Sequence, residues 1–271
     1  MNLARLLIRA GQGEEAYQLL ASLNHAIQDR TDITVDGRLV PARSLLAPHE
    51  DNRALKQWMW SVLLGDGTRA LVAAEQWPKA RAHVRQANGV GLRLLDGRQI
   101  EIVAACLEGD PSTARQTVLD STPLENWEEA VAACLIALCG HAAGESPAGM
   151  TEQVTNAYIS LHPNPELAVF QTRVGLTALT LVNEQGRERI ARHLVLNAVQ
   201  GADGYVAKDL VEDPTCTVVM TERQHDSLIA SIAAAGLATG RIPLHLERLL
   251  LEAADAATTA IATYVAVRQP S

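Results

Sequence analysis

Residues 108–118 read EGDPSTARQTV, in which a glycine is followed five residues later by alanine and nine residues later by valine. The same spacing of a turn residue, a small residue and an apolar residue recurs in three other places: Gly11, Ala16 and Leu20; Glu75, Ala80 and Val84; Gly186, Ala191 and Val195. Such repetition is typical of stacked helical hairpins, because each hairpin needs the same turn and the same close helix contact. The chain is therefore predicted to consist of helix pairs.

The composition agrees with a helical protein. Of the 271 residues 48% are hydrophobic but only 3% are aromatic, with a single Phe170. The apolar mass must come from Leu, Ala, Val and Ile, which suits closely packed helices better than a β-sandwich. We expect an all-α fold.

The distances between copies suggest a family. Ala80 and Ala114 are 34 residues apart, and Ala16 and Ala80 are 64 apart, close to two such periods. The pattern resembles the tetratricopeptide repeat, whose period is 34 residues. That resemblance implies a right-handed stack of antiparallel helix pairs, a solenoid, in which the glycine ends the first helix and the small residue lets the second approach it. The aromatic and Leu-Gly positions of the family's first helix are not reproduced in register.

The resemblance covers roughly residues 1–150, predicted to be tetratricopeptide-like repeats. Residues 151–271 are predicted to form irregular helical repeats and a C-terminal capping helix, continuous with the first part. Two segments interrupt the helical pattern. Asp36-Gly37 between β-prone runs predicts a small hairpin at residues 33–41. Residues 201–221 are predicted to be a long loop, a feature that is often functional.

Charge and hydropathy bear on the function classes. The net charge is −8 and the basic residues are mostly dispersed Arg, so we expect no nucleic-acid binding. No apolar run is long enough to span a membrane, and the N-terminus does not resemble a signal peptide. With four cysteines interpreted as free thiols, we expect a cytoplasmic protein, and the preference for Arg over Lys is typical of a bacterial one.

One candidate binding surface combines basic and aromatic residues. In a tetratricopeptide-like stack the first helices line a concave face, where Arg beside an aromatic ring can hold a carboxylate or stack on a ligand. The alternative is that Trp58 and Trp60 are core residues and the cations form a solvated rim. The candidate residues of this groove are Arg53, Lys56, Trp60, Arg69, Arg93 and Arg98.

A second candidate lies at the predicted loop, where Asp213, Cys216 and His225 supply an acid, a thiol and a base. A nucleophilic thiol needs a lowered pKa and a base within hydrogen-bond reach, and nothing local to Cys216 enforces either. The alternative is a loop cysteine without a catalytic role. We assign no catalytic residue and expect no cofactor.

Cys134, Cys139 and His141 are candidate metal ligands by residue type. On a helix the two cysteines point about 140° apart, so they cannot both reach one ion. We expect no metal site.

The favoured interpretation is a non-enzymatic helical-repeat module that binds a peptide or protein partner on its concave face, as a regulatory or biosynthetic accessory protein. The alternative is an all-α small-molecule-binding protein or enzyme with the 201–221 loop as a lid over an apolar cavity. The C-terminal helix, rich in Ala and Leu, is a candidate for homo-oligomer formation.

Overall fold

The computed structural model describes residues 1–35, 37–41, 52–146, 148–238 and 241–268. Most of these residues are helical, and one small antiparallel hairpin is present, so the predicted all-α class is confirmed. In chain order the elements are α1 (Asn2–Arg9), α2 (Gly13–Asp29), β1 (Ile33–Val35), β2 (Arg38–Val40), α3 (Asn52–Val62), a π-helical segment (Leu63–Gly67), α4 (Thr68–Ala73), α5 (Trp77–Gln86), α6 (Asp96–Leu107), α7 (Pro111–Leu119), α8 (Asn126–Ala142), α9 (Ala148–Ile159), a 3-10 turn (Pro165–Leu167), α10 (Ala168–Leu181), α11 (Glu184–Gly201), α12 (Gly204–Glu212), α13 (Pro214–Val219), α14 (Glu222–Ala234) and α15 (Leu244–Arg268).

The predicted hairpin is confirmed. Val35 of β1 is paired with Arg38 of β2, which leaves two residues in the turn. One of these, Gly37, has φ of +71°, the left-handed conformation that glycine adopts without steric cost. Asp36, on which the prediction also depended, lies outside the described residues. Strand β1 contacts α2, so the hairpin lies against a helix.

The chain divides into two compact units. The first unit comprises Met1–Gly91, Asp96–Ala104 and Arg248–Ser271, and the second comprises Leu92–Leu95 and Ala105–Glu247. Each unit has its own apolar cluster of buried side chains.

Gly11, Glu75 and Gly109 occupy the same turn between two helices. Their φ angles are +76°, +57° and +85°. At each turn this residue donates its N–H to the carbonyl three residues back, and the next residue donates to the carbonyl five residues back, at 2.9–3.1 Å. These two bonds define the Schellman motif, which satisfies carbonyls at a helix C-terminus. The repeated sequence pattern therefore corresponds to a repeated hairpin turn.

The small and apolar residues of the pattern are buried in all four copies. Each of the four alanines has no exposed surface, and the apolar residue that follows is at most 5% exposed. These residues are Ala16, Ala80, Ala114 and Ala191, followed by Leu20, Val84, Val118 and Val195. The alanine is small enough for the paired helix to approach closely.

The sequence pattern missed turns with the same pair of bonds at Asn88, Gly144 and Gly236. Gly144 has φ of +75°, and the bonds from Gly144 to His141 and from Glu145 to Gly140 repeat the motif at 3.0 and 2.9 Å. The helix after this turn begins at Ala148, later than after the three turns described above, so the buried small residue is displaced from its expected position.

Gly186 is not a turn glycine, contrary to the sequence prediction. It lies inside α11, where its N–H donates to the side chain of Asn183, the N-cap residue. A Cβ at this position would lie 2.9 Å from Cγ2 of Thr151 and 3.0 Å from Oγ1 of Thr155. Glycine is needed here because α9 passes close to α11.

In the second unit, helices α8 to α11 pack against one another. Helix α8 packs against its partner α9 and against α10, the first helix of the next pair. Helix α11, the second helix of that pair, packs against both α10 and α9. The cluster of buried side chains between these four helices includes Ala137, Val154 and Ile190.

In the first unit, α1 and α2 pack together, and α2 also packs against the helices that follow the hairpin. The π-helical segment Leu63–Gly67 includes the residues Gly65-Asp66-Gly67 and lies between α3 and α4. His83 Nε2 lies 2.9 Å from the carbonyl oxygen of Leu63, whose helical hydrogen bond is altered by the wider turn. The carbonyl oxygen of Leu63 therefore has a hydrogen-bond partner in the His83 side chain of α5.

Residues 201–221 do not form the predicted loop. Two short helices occupy most of the segment, because each begins with an effective cap. The side chain of Asp203 accepts from the N–H groups of Tyr205 and Val206, and that of Asp213 accepts from Cys216. Pro214 follows Asp213 at a helix start, where its missing N–H costs nothing. These caps outweigh the β-propensity of the following residues.

Candidate functional site

Three of the predicted groove residues share one face of α3. Arg53, Lys56 and Trp60 are spaced three and four residues apart, so they lie side by side along the helix. Arg53 is exposed, Lys56 is half-buried, and Trp60 is 46% exposed. Among the described residues neither cation has an ion-pair partner. Trp60 is held in place by its Nε1, which donates to the carbonyl oxygen of Ala87 at 3.2 Å.

The two tryptophans of α3 flank its buried stripe. Met59 is 1% exposed and faces the core, whereas Trp58 is 49% exposed on the other side of it from Trp60. The alternative prediction, that Trp58 and Trp60 are core residues, is thus wrong. Two half-exposed tryptophans on one helix are unusual, because this residue is generally well buried.

Arg69 and Arg98 are also in the first unit but are engaged within it. Arg69 contacts Asp66 at 3.4 Å and Asp96 at 3.2 Å, and the buried Asp66 also accepts from Arg5 at 2.9 Å. Arg98 is only 7% exposed and donates to the carbonyl oxygen of Gly91 at 2.7 Å. Both guanidinium groups have structural partners.

Arg93 belongs to the second unit. It donates from Nε and Nη2 to Oε1 of Glu128 at 3.0 and 2.6 Å, and from Nη2 to Glu125 at 3.2 Å. Burial by itself raises the pKa of Glu128, but hydrogen bonds from Arg93 and from the N–H groups of Leu124 and Leu94 outweigh it and hold the pKa below its ordinary value. Arg93 thus neutralises a buried carboxylate.

The predicted loop site has the wrong properties for a thiol nucleophile. Cys216 is completely buried, and burial raises the pKa of its thiol, as does the neighbouring charge of Asp213. A nucleophilic cysteine needs the opposite shift. His225 is exposed, and its Nδ1 lies 3.9 Å from Asp226. Asp213 serves as a helix cap rather than as an orienting acid for the base.

The remaining cysteines are buried thiols. Burial raises the pKa of Cys134 and of Cys139 to about 12. Cys139 lies in α8 with its sulfur 3.6 Å from that of Cys106, a contact that sequence spacing did not reveal. No group of three or more His, Cys, Asp or Glu side chains in the described part of the chain is arranged to hold a metal ion.

Sequence reasoning also missed a pocket in the second unit. It has a volume of about 430 Å³ and lies where the end of α9, the 160s segment and α10 meet the C-terminus of α11 and the start of α12. Its lining residues are spread from Tyr158 to Val206, and most have no chemical signature in sequence. The only available signal was the helix break at Gly201–Gly204, which the sequence analysis interpreted as a loop.

Comparison with known proteins gives no relative from which a function could be transferred. No protein-family model, no curated protein and no solved structure matches this chain. Along the described residues, none of the helices combines the length and apolar character needed to cross a lipid bilayer.

Proposed function

We propose that this protein is a tetratricopeptide-like helical-repeat scaffold that binds a peptide segment of a partner protein. The peptide lies along the face of α3 formed by Arg53, Lys56 and Trp60, which we call the α3 face. It presents a carboxylate to the two cations and an apolar side chain to the indole ring.

The scaffold part of the proposal is supported by the repeated turn. Gly11, Glu75, Gly109 and Gly144 all carry the same pair of hydrogen bonds, and the later three follow one another at 34 and 35 residues. Packing between the pairs α8–α9 and α10–α11 joins first helix to first helix and second to second. Repetition of one hairpin with such contacts is the arrangement from which a solenoid is built.

The binding part of the proposal is supported by the α3 face. Arg53 and Lys56 have no ion-pair partner among the described residues, whereas Arg69, Arg93 and Arg98 are all engaged by carboxylates or a carbonyl. Arg binds carboxylates with two parallel hydrogen bonds, and an exposed tryptophan offers a large apolar surface at low entropic cost. Cation and indole together suit a segment with an acidic residue next to an apolar one.

A binding role rather than a catalytic one is supported by the state of the reactive side chains. The thiols of Cys134, Cys139 and Cys216 are buried with raised pKa values, which keeps them protonated and unreactive near neutral pH. The proposal therefore includes no catalytic step and no cofactor.

Fluorescence anisotropy with a labelled peptide of Glu and Leu tests the α3 face. We expect the triple substitution Arg53→Ala, Lys56→Ala and Trp60→Ala to weaken binding at least about tenfold, because it removes both charge-assisted hydrogen bonds and the apolar contact. The double substitution Arg53→Glu and Lys56→Glu, which keeps the bond from Trp60 to Ala87, should weaken it comparably.

A matched control removes an exposed aromatic residue, a lysine and an arginine from the second unit, by Tyr205→Ala, Lys208→Ala and Arg223→Ala. This variant should bind within about twofold of the unaltered protein. Equal loss in the α3 and control variants would contradict the proposal, and so would binding that none of the substitutions changes.

The C-terminal helix provides a second interaction surface, and we propose that a second copy of the chain covers it. Described residues 241–264 are all exposed. One side of α15 carries apolar residues at alternating spacings of four and three, the heptad pattern of paired helices. These residues, here called the α15 seam, are Leu246, Leu250, Ala253, Ala257, Ala260 and Tyr264.

A second copy fits the α15 seam because a two-fold interface is self-complementary. The opposite side of α15 carries Arg248, Glu252, Asp255 and Thr259, which remain in solvent when two seams meet. A helix of 25 residues is about 37 Å long, enough for several layers of contact.

A further inference from the structure

The pocket of about 430 Å³ in the second unit has the size of a small-molecule site. Its lining combines apolar side chains with polar ones. The lining residues with polar side chains are Tyr158, Asn164, Gln171, Thr172, Asn197, Gln200 and Asp203.

Two of these polar side chains are more than nine-tenths buried. Tyr158 is 3% exposed and Thr172 is 5% exposed, and the hydroxyl of Tyr158 lies against Gly175 of α10. The half-buried amide of Asn197 has no partner in the described part of the chain.

The charged side chain in the described lining of the pocket is a carboxylate, at the N-terminus of α12. Among the described residues that line the pocket, Asp203 is the only one with a charge. One oxygen of Asp203, Oδ1, accepts from Tyr205 and Val206, at 2.8 and 3.0 Å, and Oδ2 has no such partner.

The neighbouring C-terminus of α11 adds to this negative charge. Only the carbonyl of Ala198 in the last turn is capped, by the N–H of Ala202 at 3.1 Å. The carbonyl oxygens of the last residues, Val199 to Gly201, accept no backbone hydrogen bond within α11. A helix C-terminus carries a partial negative charge that favours cations.

We propose that this pocket binds a small organic cation, an ammonium group carried on an apolar body. The ammonium group is bound by the free oxygen of Asp203 and the end of α11, and the apolar body contacts Leu194 and Val206. The hydroxyl of Thr172 and the side-chain amide of Asn197 accept hydrogen bonds that orient the ligand. This site is separate from the α3 face and does not depend on it.

Isothermal titration calorimetry with two probes of equal shape tests the proposal. Phenethylamine is an ammonium ion at neutral pH, and phenethyl alcohol is its uncharged counterpart. We expect the amine to bind with a dissociation constant below about 1 mM and at least about tenfold more tightly than the alcohol. Equal affinity for the two probes, or no binding of the amine up to about 10 mM, would overturn the proposal.

Substitution of the carboxylate identifies the site. Asp203→Asn removes the charge but keeps a good N-cap residue, so α12 should stay folded and the affinity for the amine should fall about tenfold. The matched control is Asp213→Asn, which makes the same change at the cap of α13 and should leave the affinity unchanged. Equal affinities in the two variants would contradict the assignment of Asp203. Should Asp203→Asn not fold, Asn197→Ala takes its place and is expected to weaken amine binding.

Discussion

Arg93 places its Nη2 2.6 Å from Oε1 of Glu128, a carboxylate with no exposed surface. The other oxygen of this carboxylate accepts from the N–H of Leu94 at 3.0 Å. Glu128 thus joins α8 to the segment before α6, and its charge is compensated by a single guanidinium.

The substitution Arg93→Ala should therefore destabilise the protein by about 3 kcal/mol, because it leaves a buried carboxylate without its counter-charge. Arg192→Ala is the matched control: Arg192 has the same 2.6 Å contact with Glu188, but both side chains are mostly exposed. That change should cost less than about 0.5 kcal/mol. Urea unfolding of both variants measures the difference, and similar costs for the two would show that Glu128 is not buried as described.

The equivalence of the hairpin turns predicts opposite effects at two positions. Gly109→Ala should destabilise by about 1 kcal/mol, because alanine is strained at φ of +85° although its Cβ would meet no atom within 4 Å. Glu75 holds the same turn at φ of +57° with a side chain, so Glu75→Gly should stabilise by up to about 1 kcal/mol. Thermal unfolding checks both, and the same sign of change at the two positions would contradict a shared turn.

The buried thiols predict low reactivity and alkaline sensitivity. Iodoacetamide attacks the thiolate, so the folded protein should be alkylated at least about a hundredfold more slowly than the unfolded protein near pH 8. Because burial raises the folded pKa of Cys134 from its ordinary 9.0 to about 12, its contribution to stability is present below pH 9.0 and lost as the pH rises towards 12. A thiol that reacts fully in the folded state would contradict this burial.

Self-association through α15 predicts a dimer of about twice the chain mass of 29.1 kDa in light scattering after size exclusion. Replacing both Leu246 and Leu250 by Glu should give monomers, because charges then meet at the α15 seam. Thr259→Glu, on the opposite side of α15, should remain dimeric. An unaltered protein that is monomeric at about 100 μM, or a dimer unaffected by the Leu substitutions, would show that another surface or partner is involved.

The fold was most predictable where one local rule operates. Turn, small residue and apolar residue follow in sequence order, so the hairpins at Gly11 and Gly109 could be identified directly. The turn at Glu75 is harder to identify because its pattern has glutamate in place of glycine, which is favoured but not required at positive φ. Gly144 was missed because a longer connection displaces the next helix.

The site was less predictable, because it depends on contacts between distant residues. Arg93 lies 35 residues from Glu128, and no local pattern shows that this cation is already neutralised. Residues 201–221 resemble a loop in sequence because the helices there are short and depend on the caps Asp203 and Asp213. The pocket is assembled from five separate segments and becomes visible only when they are packed together.

The central claim is that a peptide binds at the α3 face, and fluorine NMR of fluorotryptophan-labelled protein tests it most directly. The chain has four tryptophans, Trp58, Trp60, Trp77 and Trp127, whose signals can be assigned by single Trp→Phe substitutions. Titration with the Glu- and Leu-containing peptide should shift the Trp60 signal strongly and leave that of Trp127, in α8, unchanged. A titration that leaves Trp60 unmoved, or that shifts Trp127 instead, would contradict the account.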